Sequence, residues 1–154
     1  MPASKLKAFL DSHGIKYVSI QHSAAYTASE VAASAHVSRR DFAKTLIVKV
    51  DDEMAMVVLP ASRRLLLHDL RELLESAQVK LASEEEFRDK FPDCELGAMP
   101  PFGNLYGMKV YVDVTLAREP EIAFNAGTHT EVIKLAYADF DHLVKPLAIG
   151  VVTV

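Results

Sequence analysis

Apolar residues recur at helical spacing in Ser4 to His13, where Leu6, Phe9 and Leu10 share a face, Ser4 is placed to cap the start and Gly14 to end it. Ile15 to Ile20 reads as a short strand. Thr27-Ala28-Ser29-Glu30 spells a capping box and predicts a helix to about Val37. Phe42 to Val50 and Met54 to Leu59 are β-rich runs around the polar turn Asp51-Asp52-Glu53, which predicts an antiparallel hairpin. The second run is apolar at every position, as expected of a strand covered on both faces.

Leu67 to Ala77 predicts a helix with Leu70, Leu73 and Leu74 inward, and Val79 to Ala82 a short strand. Ser83-Glu84-Glu85-Glu86 is a second capping box, opening a helix that must stop near Phe91, ahead of Pro92. Gly97 to Gly103 carries two glycines and two prolines and is expected to be irregular. Met108 to Val114 alternates again, with Met108, Val110, Val112 and Val114 on one face and Lys109, Tyr111 and Asp113 on the other. Glu121 to Asn125 and Thr130 to Ala136 form a second predicted hairpin. A helix over Ala138 to Val144 and an apolar tail from Leu147 to Val154 follow.

Most neighbouring strands are joined by turns too short for parallel crossovers, so the expected class is α+β, with a mixed, largely antiparallel sheet flanked by helices. With no repeat or linker, residues 1–154 are expected to form one domain. Its 17 Lys plus Arg against 21 Asp plus Glu leave a net charge of −4, which argues against general nucleic-acid binding. Cys94, the lone cysteine, excludes an internal disulfide and fits a reducing compartment. No apolar run is long enough for a membrane span and no signal region is evident, so the expected location is cytoplasmic.

Three places are candidates for chemistry. Lys44 interrupts the apolar row Phe42, Leu46, Val48 and Val50; such a lysine either lines a site or carries its charge to solvent along its own stem. The Gly97 to Gly103 loop, stiffened by Pro100 and Pro101, offers main-chain N–H groups to a carboxylate, phosphate or oxyanion; a plain turn is the competing explanation. The turn Asn125-Ala126-Gly127-Thr128-His129 gathers amide, hydroxyl and imidazole groups on one short arc, as an ordinary exposed turn also does. The six histidines have no tight ligand spacing, and no nucleophile elbow, Walker loop or dinucleotide fingerprint is present, so neither a metal nor a cofactor is expected. Arg39, Arg40, Lys44, Lys49, Arg63 and Arg64 cluster along the sequence, and could hold a few phosphates of a single strand if the fold brought them to one rim.

Together, Ala43-Lys44-Thr45-Leu46, Gly97-Ala98-Met99-Pro100-Pro101-Phe102-Gly103 and Phe124-Asn125-Ala126-Gly127-Thr128-His129 resemble the YbaK-like family, which includes the editing domain of bacterial prolyl-tRNA synthetase and its free-standing relatives. The order and spacing of all three segments match, over nearly the whole chain. The resemblance implies a metal-independent aminoacyl-tRNA deacylase acting in trans, on tRNA-Pro carrying a small amino acid, with prolyl-tRNA synthetase as a possible partner. It places the essential lysine at Lys44, the substrate loop at Gly97, Pro100, Pro101 and Gly103, and the pocket turn at Asn125, Gly127 and His129. Lys44 would steady either the terminal phosphate or the developing negative charge. Relatives that remove alanine carry Asn after the lysine; Thr45 stands there in this chain. A non-catalytic module binding aminoacyl-tRNA ends or a synthetase is the alternative.

Overall fold

The computed structural model describes residues 4–154. Helix α1 (Ser4–Ser12) packs Leu6 and Leu10 into the core; the expected cap at its start lies at the edge of the described residues. Strand β1 (Tyr17–Gln21) leads to helix α2 (Ala28–Ser34), capped as the sequence predicts: Thr27 Oγ1 accepts the Glu30 N–H at 3.1 Å and Glu30 Oε1 accepts the Thr27 N–H at 3.2 Å.

Strands β2 (Ala43–Val50) and β3 (Glu53–Pro60) pair antiparallel through a two-residue turn, one shorter than expected. Asp51 and Asp52 both take positive φ, 48° and 75°, the backbone of a turn whose twist matches the flanking strands. Helix α3 (Leu67–Leu74) buries Leu70 but leaves Leu73 48% exposed, so only part of its expected inward row faces the core. After β4 (Val79–Leu81), the Ser83 box opens α4 (Glu84–Phe87). Strand β5 (Lys109–Asp113) gives way to a single helical turn, α5 (Val114–Ala117), because the Asp113 carboxylate accepts the Thr115 N–H and hydroxyl and caps it. Strands β6 (Glu121–Asn125) and β7 (Glu131–Ala136), helix α6 (Tyr137–Val144) and β8 (Leu147–Ile149) complete the chain.

The strands form two groups, ordered β1-β7-β6 and β4-β2-β3-β5-β8. Four pairings are antiparallel, and the parallel ones join β3 to β5 and β5 to β8. Met56, Val58, Val110 and Val112 pack on one face of the larger sheet and Ala55, Val57, Leu59 and Tyr111 on the other, so β3 is covered on both sides as its apolar run predicts. The sheets meet at one parallel bridge, Phe42 with Ala123, where the Ala123 N–H donates to the Asp41 carbonyl at 3.0 Å. Lys44 on β2 and Asn125 on β6 each follow two residues after this bridge.

Candidate active site

The two irregular motifs are locked together. The Glu95 N–H donates to the Gly127 carbonyl at 2.8 Å, and the Gly127 N–H donates to the Ala98 carbonyl at 2.9 Å. Gly97 and Gly127 have φ of +86° and +98°, which only glycine adopts without strain. Behind the junction, the fully buried ring of Phe102 lies 5.4 Å from that of Phe124 and 5.6 Å from that of Phe140. Burying a phenylalanine contributes roughly 1.5–3 kcal/mol, so Phe102 anchors the loop that Gly97 opens.

His129 is positioned by a residue the sequence reading passed over. Glu95 Oε1 accepts both the His129 main-chain N–H, at 2.8 Å, and Nδ1, at 2.9 Å. Donation from Nδ1 leaves Nε2 as the free lone pair of a neutral ring. That atom lies 3.5 Å from where a side chain on Gly97 would begin. A third segment closes over this edge: the Ala25 N–H donates to the His129 carbonyl, the His22 N–H to the Thr130 carbonyl, and the Tyr26 ring lies tilted against the imidazole with centroids 4.8 Å apart. Tyr26 is 71% exposed, so its ring combines an open face with contact to the imidazole. No local signal marks Glu95 or Tyr26, because both join the site through tertiary contacts.

Three buried side-chain atoms near these segments lack a hydrogen-bond partner among the described residues: His22 Nε2, Thr45 Oγ1 and Asn125 Oδ1. Buried polar groups are nearly always satisfied, so orphans on the segments that build one edge point to a polar ligand there. Lys44 is half-buried, and no ion pair or hydrogen bond engages its ammonium among the described residues. Burial, and then the charge of Arg64, lower its pKa below the ordinary value.

The structure brings Gly97, Gly127 and His129 together, with Asn125 on the adjoining strand and Lys44 across the sheet junction. Pro100, Pro101 and Gly103, like Gly127, are buried. A side chain on Gly103 would meet Val110 Cγ2 at 2.6 Å and the Met108 carbonyl oxygen at 2.7 Å, so this glycine permits a close backbone approach. An open depression of about 550 Å³ lies elsewhere, beside the β2–β3 turn, and none of these residues lines it. Among the described residues no three His, Cys, Asp or Glu side chains cluster as metal ligands, and no helix is long and apolar enough to cross a membrane.

The model of the aminoacyl-tRNA editing domain family matches residues 22–143, a span holding all these side chains. The chain belongs to this family. Its fold and its activity class, aminoacyl-tRNA deacylation, agree with the resemblance read from the three motifs. A relative in Escherichia coli K12, the multifunctional Ser/Thr-tRNA deacylase ProXp-y, is 29% identical over 147 residues, covering 92% of this chain and 87% of the relative. Among solved structures, a hypothetical protein superposes with a TM-score of 0.85 at 21% identity, covering 98% of this chain and all of the other. A candidate trans-editing enzyme for prolyl-tRNA synthetase superposes with a TM-score of 0.82, also at 21% identity, covering 97% and 95%. At that identity the two structures bear on the fold alone.

Proposed function

We propose that this editing-family chain is a metal-independent deacylase that works in trans in the cytoplasm. Its substrate is tRNA misacylated with a small hydroxyl-bearing amino acid, serine or threonine. The observation that carries the choice of amino acid is the unpartnered buried oxygen Asn125 Oδ1, on the strand that leads into the Gly127–His129 turn. A serine or threonine hydroxyl would satisfy such an oxygen where alanine could not, and a site built for a hydroxyl rejects the analogue lacking it far more strongly than it resolves one methylene. The Ser/Thr specificity of the ProXp-y relative supports the same choice. Proline tRNA is the carrier implied by the sequence resemblance, with prolyl-tRNA synthetase as the source of the misacylated product.

In this reading water attacks the ester carbonyl carbon, the bond to the ribose oxygen breaks, and that oxygen leaves with a proton as the amino acid is released. His129 Nε2 orients the water. The Gly97 N–H, whose partner is only the weak thioether acceptor of Met99 at 3.3 Å, turns to the developing oxyanion; the Ala98 and Gly127 N–H groups are already engaged by carbonyls. Lys44 holds the terminal phosphate, on the side where Arg64 adds positive charge. Pro100, Pro101 and Gly103 serve by fixing the loop.

The test is a panel of proline and other tRNAs charged with alanine, serine, cysteine, threonine or proline, scored for deacylation. The serine and threonine esters should be released fastest. Lys44→Ala should slow release at least about 100-fold, the scale of one preorganised site contact, and dialysis against EDTA should change nothing. Preference for alanine would overturn the amino-acid assignment, and full activity of Lys44→Ala would overturn the role of the lysine.

A further inference from the structure

Two turns lie against each other at the end of the β2–β3 pair that carries Lys44. One is Ser38 to Asp41, where the Asp41 N–H donates to the Ser38 carbonyl at 3.0 Å; the other is Pro60 to Arg63, where the Arg63 N–H donates to the Pro60 carbonyl at 3.0 Å. The Ser62 N–H donates across to the Arg39 carbonyl at 3.3 Å and ties the turns together. Pro60 pairs with Ala43, the neighbour of Lys44. The consequence is that Arg39, Arg40, Arg63 and Arg64 emerge at one rim, with Arg40 and Arg63 lining a cavity of about 160 Å³ together with Pro60, Ser62, Thr115 and Glu119.

Among the described residues, none of the four guanidiniums forms an ion pair with a carboxylate. Arg63 is steadied instead by a 3.4 Å bond to Thr153 Oγ1, which itself donates to the buried carboxylate of Asp113 at 2.9 Å. Lys49 differs: it is bound to Glu86 at 2.6 Å. In a chain whose net charge is −4, four unpaired cations on two joined turns are a local excess held ready for an anion.

We infer that the rim of Arg39, Arg40, Arg63 and Arg64 grips the phosphates of the RNA strand leading away from the aminoacylated nucleotide. This rests on the deacylase reading and extends its substrate from the ester to the strand that carries it. The negative net charge then limits binding to a short track beside Lys44, leaving the rest of the surface repellent to RNA.

The experiment compares the salt dependence of tRNA with that of an aminoacyl-adenosine ester lacking phosphates. At about 0.7 of a slope unit per single-strand phosphate contact, four arginines contribute roughly −2.8, about a 50-fold loss between 50 and 200 mM salt. Arg39→Gln/Arg40→Gln and Arg63→Gln/Arg64→Gln should each cut that share to about 7-fold, for kcat/KM and for equilibrium binding of uncharged tRNA. Hydrolysis of the adenosine ester should be unchanged in Arg39→Gln/Arg40→Gln, and Lys49→Gln should keep the wild-type slope. Retention of the wild-type slope by both double variants overturns the inference and leaves the rim for an acidic protein surface. Binding with the expected slopes but without hydrolysis of any ester would instead overturn the deacylase reading and keep the rim.

Discussion

One carboxylate oxygen of Glu95 holds His129 twice, at 2.8 Å through the main-chain N–H and at 2.9 Å through Nδ1. This fixes the position of the turn and makes Nδ1 the donor, so in the neutral ring Nε2 faces Gly97 as an acceptor. Charge-assisted bonds of this kind are worth about 1.5–3 kcal/mol. Glu95→Ala should therefore lower kcat about 10- to 100-fold at each 1.4 to 2.8 kcal/mol lost, with KM little changed. Glu95→Gln keeps one oxygen able to accept both bonds but removes their charge, and should fall between. A variant with wild-type kcat across the pH range would show that the ring needs no support.

Gly97→Ala tests the surface opposite that ring. Its φ of +86° is strained for alanine, and the new methyl would sit 3.5 Å from His129 Nε2, in the space proposed for the attacked ester. Strain of this kind costs on the order of 1–3 kcal/mol, or about 2–4 °C in Tm for each kcal/mol in a chain of this size. Turnover should fall by more than the loss of stability explains, measured well below the melting temperature. Wild-type kcat/KM in Gly97→Ala would remove this loop from the reaction.

What could be read from the chain alone follows the range of the forces involved. Both capping boxes were legible because Thr27 with Glu30 and Ser83 with Glu86 act within four residues. The β2–β3 hairpin was legible for the same reason. The parallel partnerships of β3 with β5 and β5 with β8 were not, since they join segments far apart in sequence whose apolar pattern names no partner. Helix α5 starts on the last residue of an alternating run and is dictated by the Asp113 side chain, which also engages Thr153. At the site, Lys44 stood out as a charge in an apolar row, whereas Glu95 and Tyr26 looked like ordinary surface residues. The Gly97 to Gly103 motif read as one irregular loop offering main-chain N–H groups, yet Pro100, Pro101 and Gly103 are buried while Gly97 is exposed beside His129.

Lys44 gives a pH signature. Burial, then Arg64, hold its pKa in the fold below the 10.5 of the free side chain. Between those two values the unfolded chain binds more protons than the folded one, so stability rises with pH across that window, and below it the full penalty of the buried charge applies. Activity that needs the ammonium should fall in the same window, at lower pH than a free lysine would give. Lys44→Met keeps the apolar stem and removes the charge; it should flatten the alkaline slope of stability, raise Tm at neutral pH and lose turnover. A variant less stable than wild type at neutral pH would mean that Lys44 has a partner in the fold.

Gly103 separates holding the loop from holding the substrate. Its carbonyl accepts the Tyr106 and Met108 N–H groups, both at 2.9 Å, so the backbone cannot retreat when a methyl is added 2.6 Å from Val110 Cγ2 and 2.7 Å from the Met108 carbonyl oxygen. Overpacking at such a place costs typically 1–3 kcal/mol, which lowers Tm by roughly 2–12 °C. Because the collision is with the core, Gly103→Ala should retain kcat/KM within about twofold when assayed well below its Tm. A loss of about 100-fold at unchanged Tm would reverse the assignment, since a buried scaffold position cannot remove catalysis while leaving the fold as stable as before.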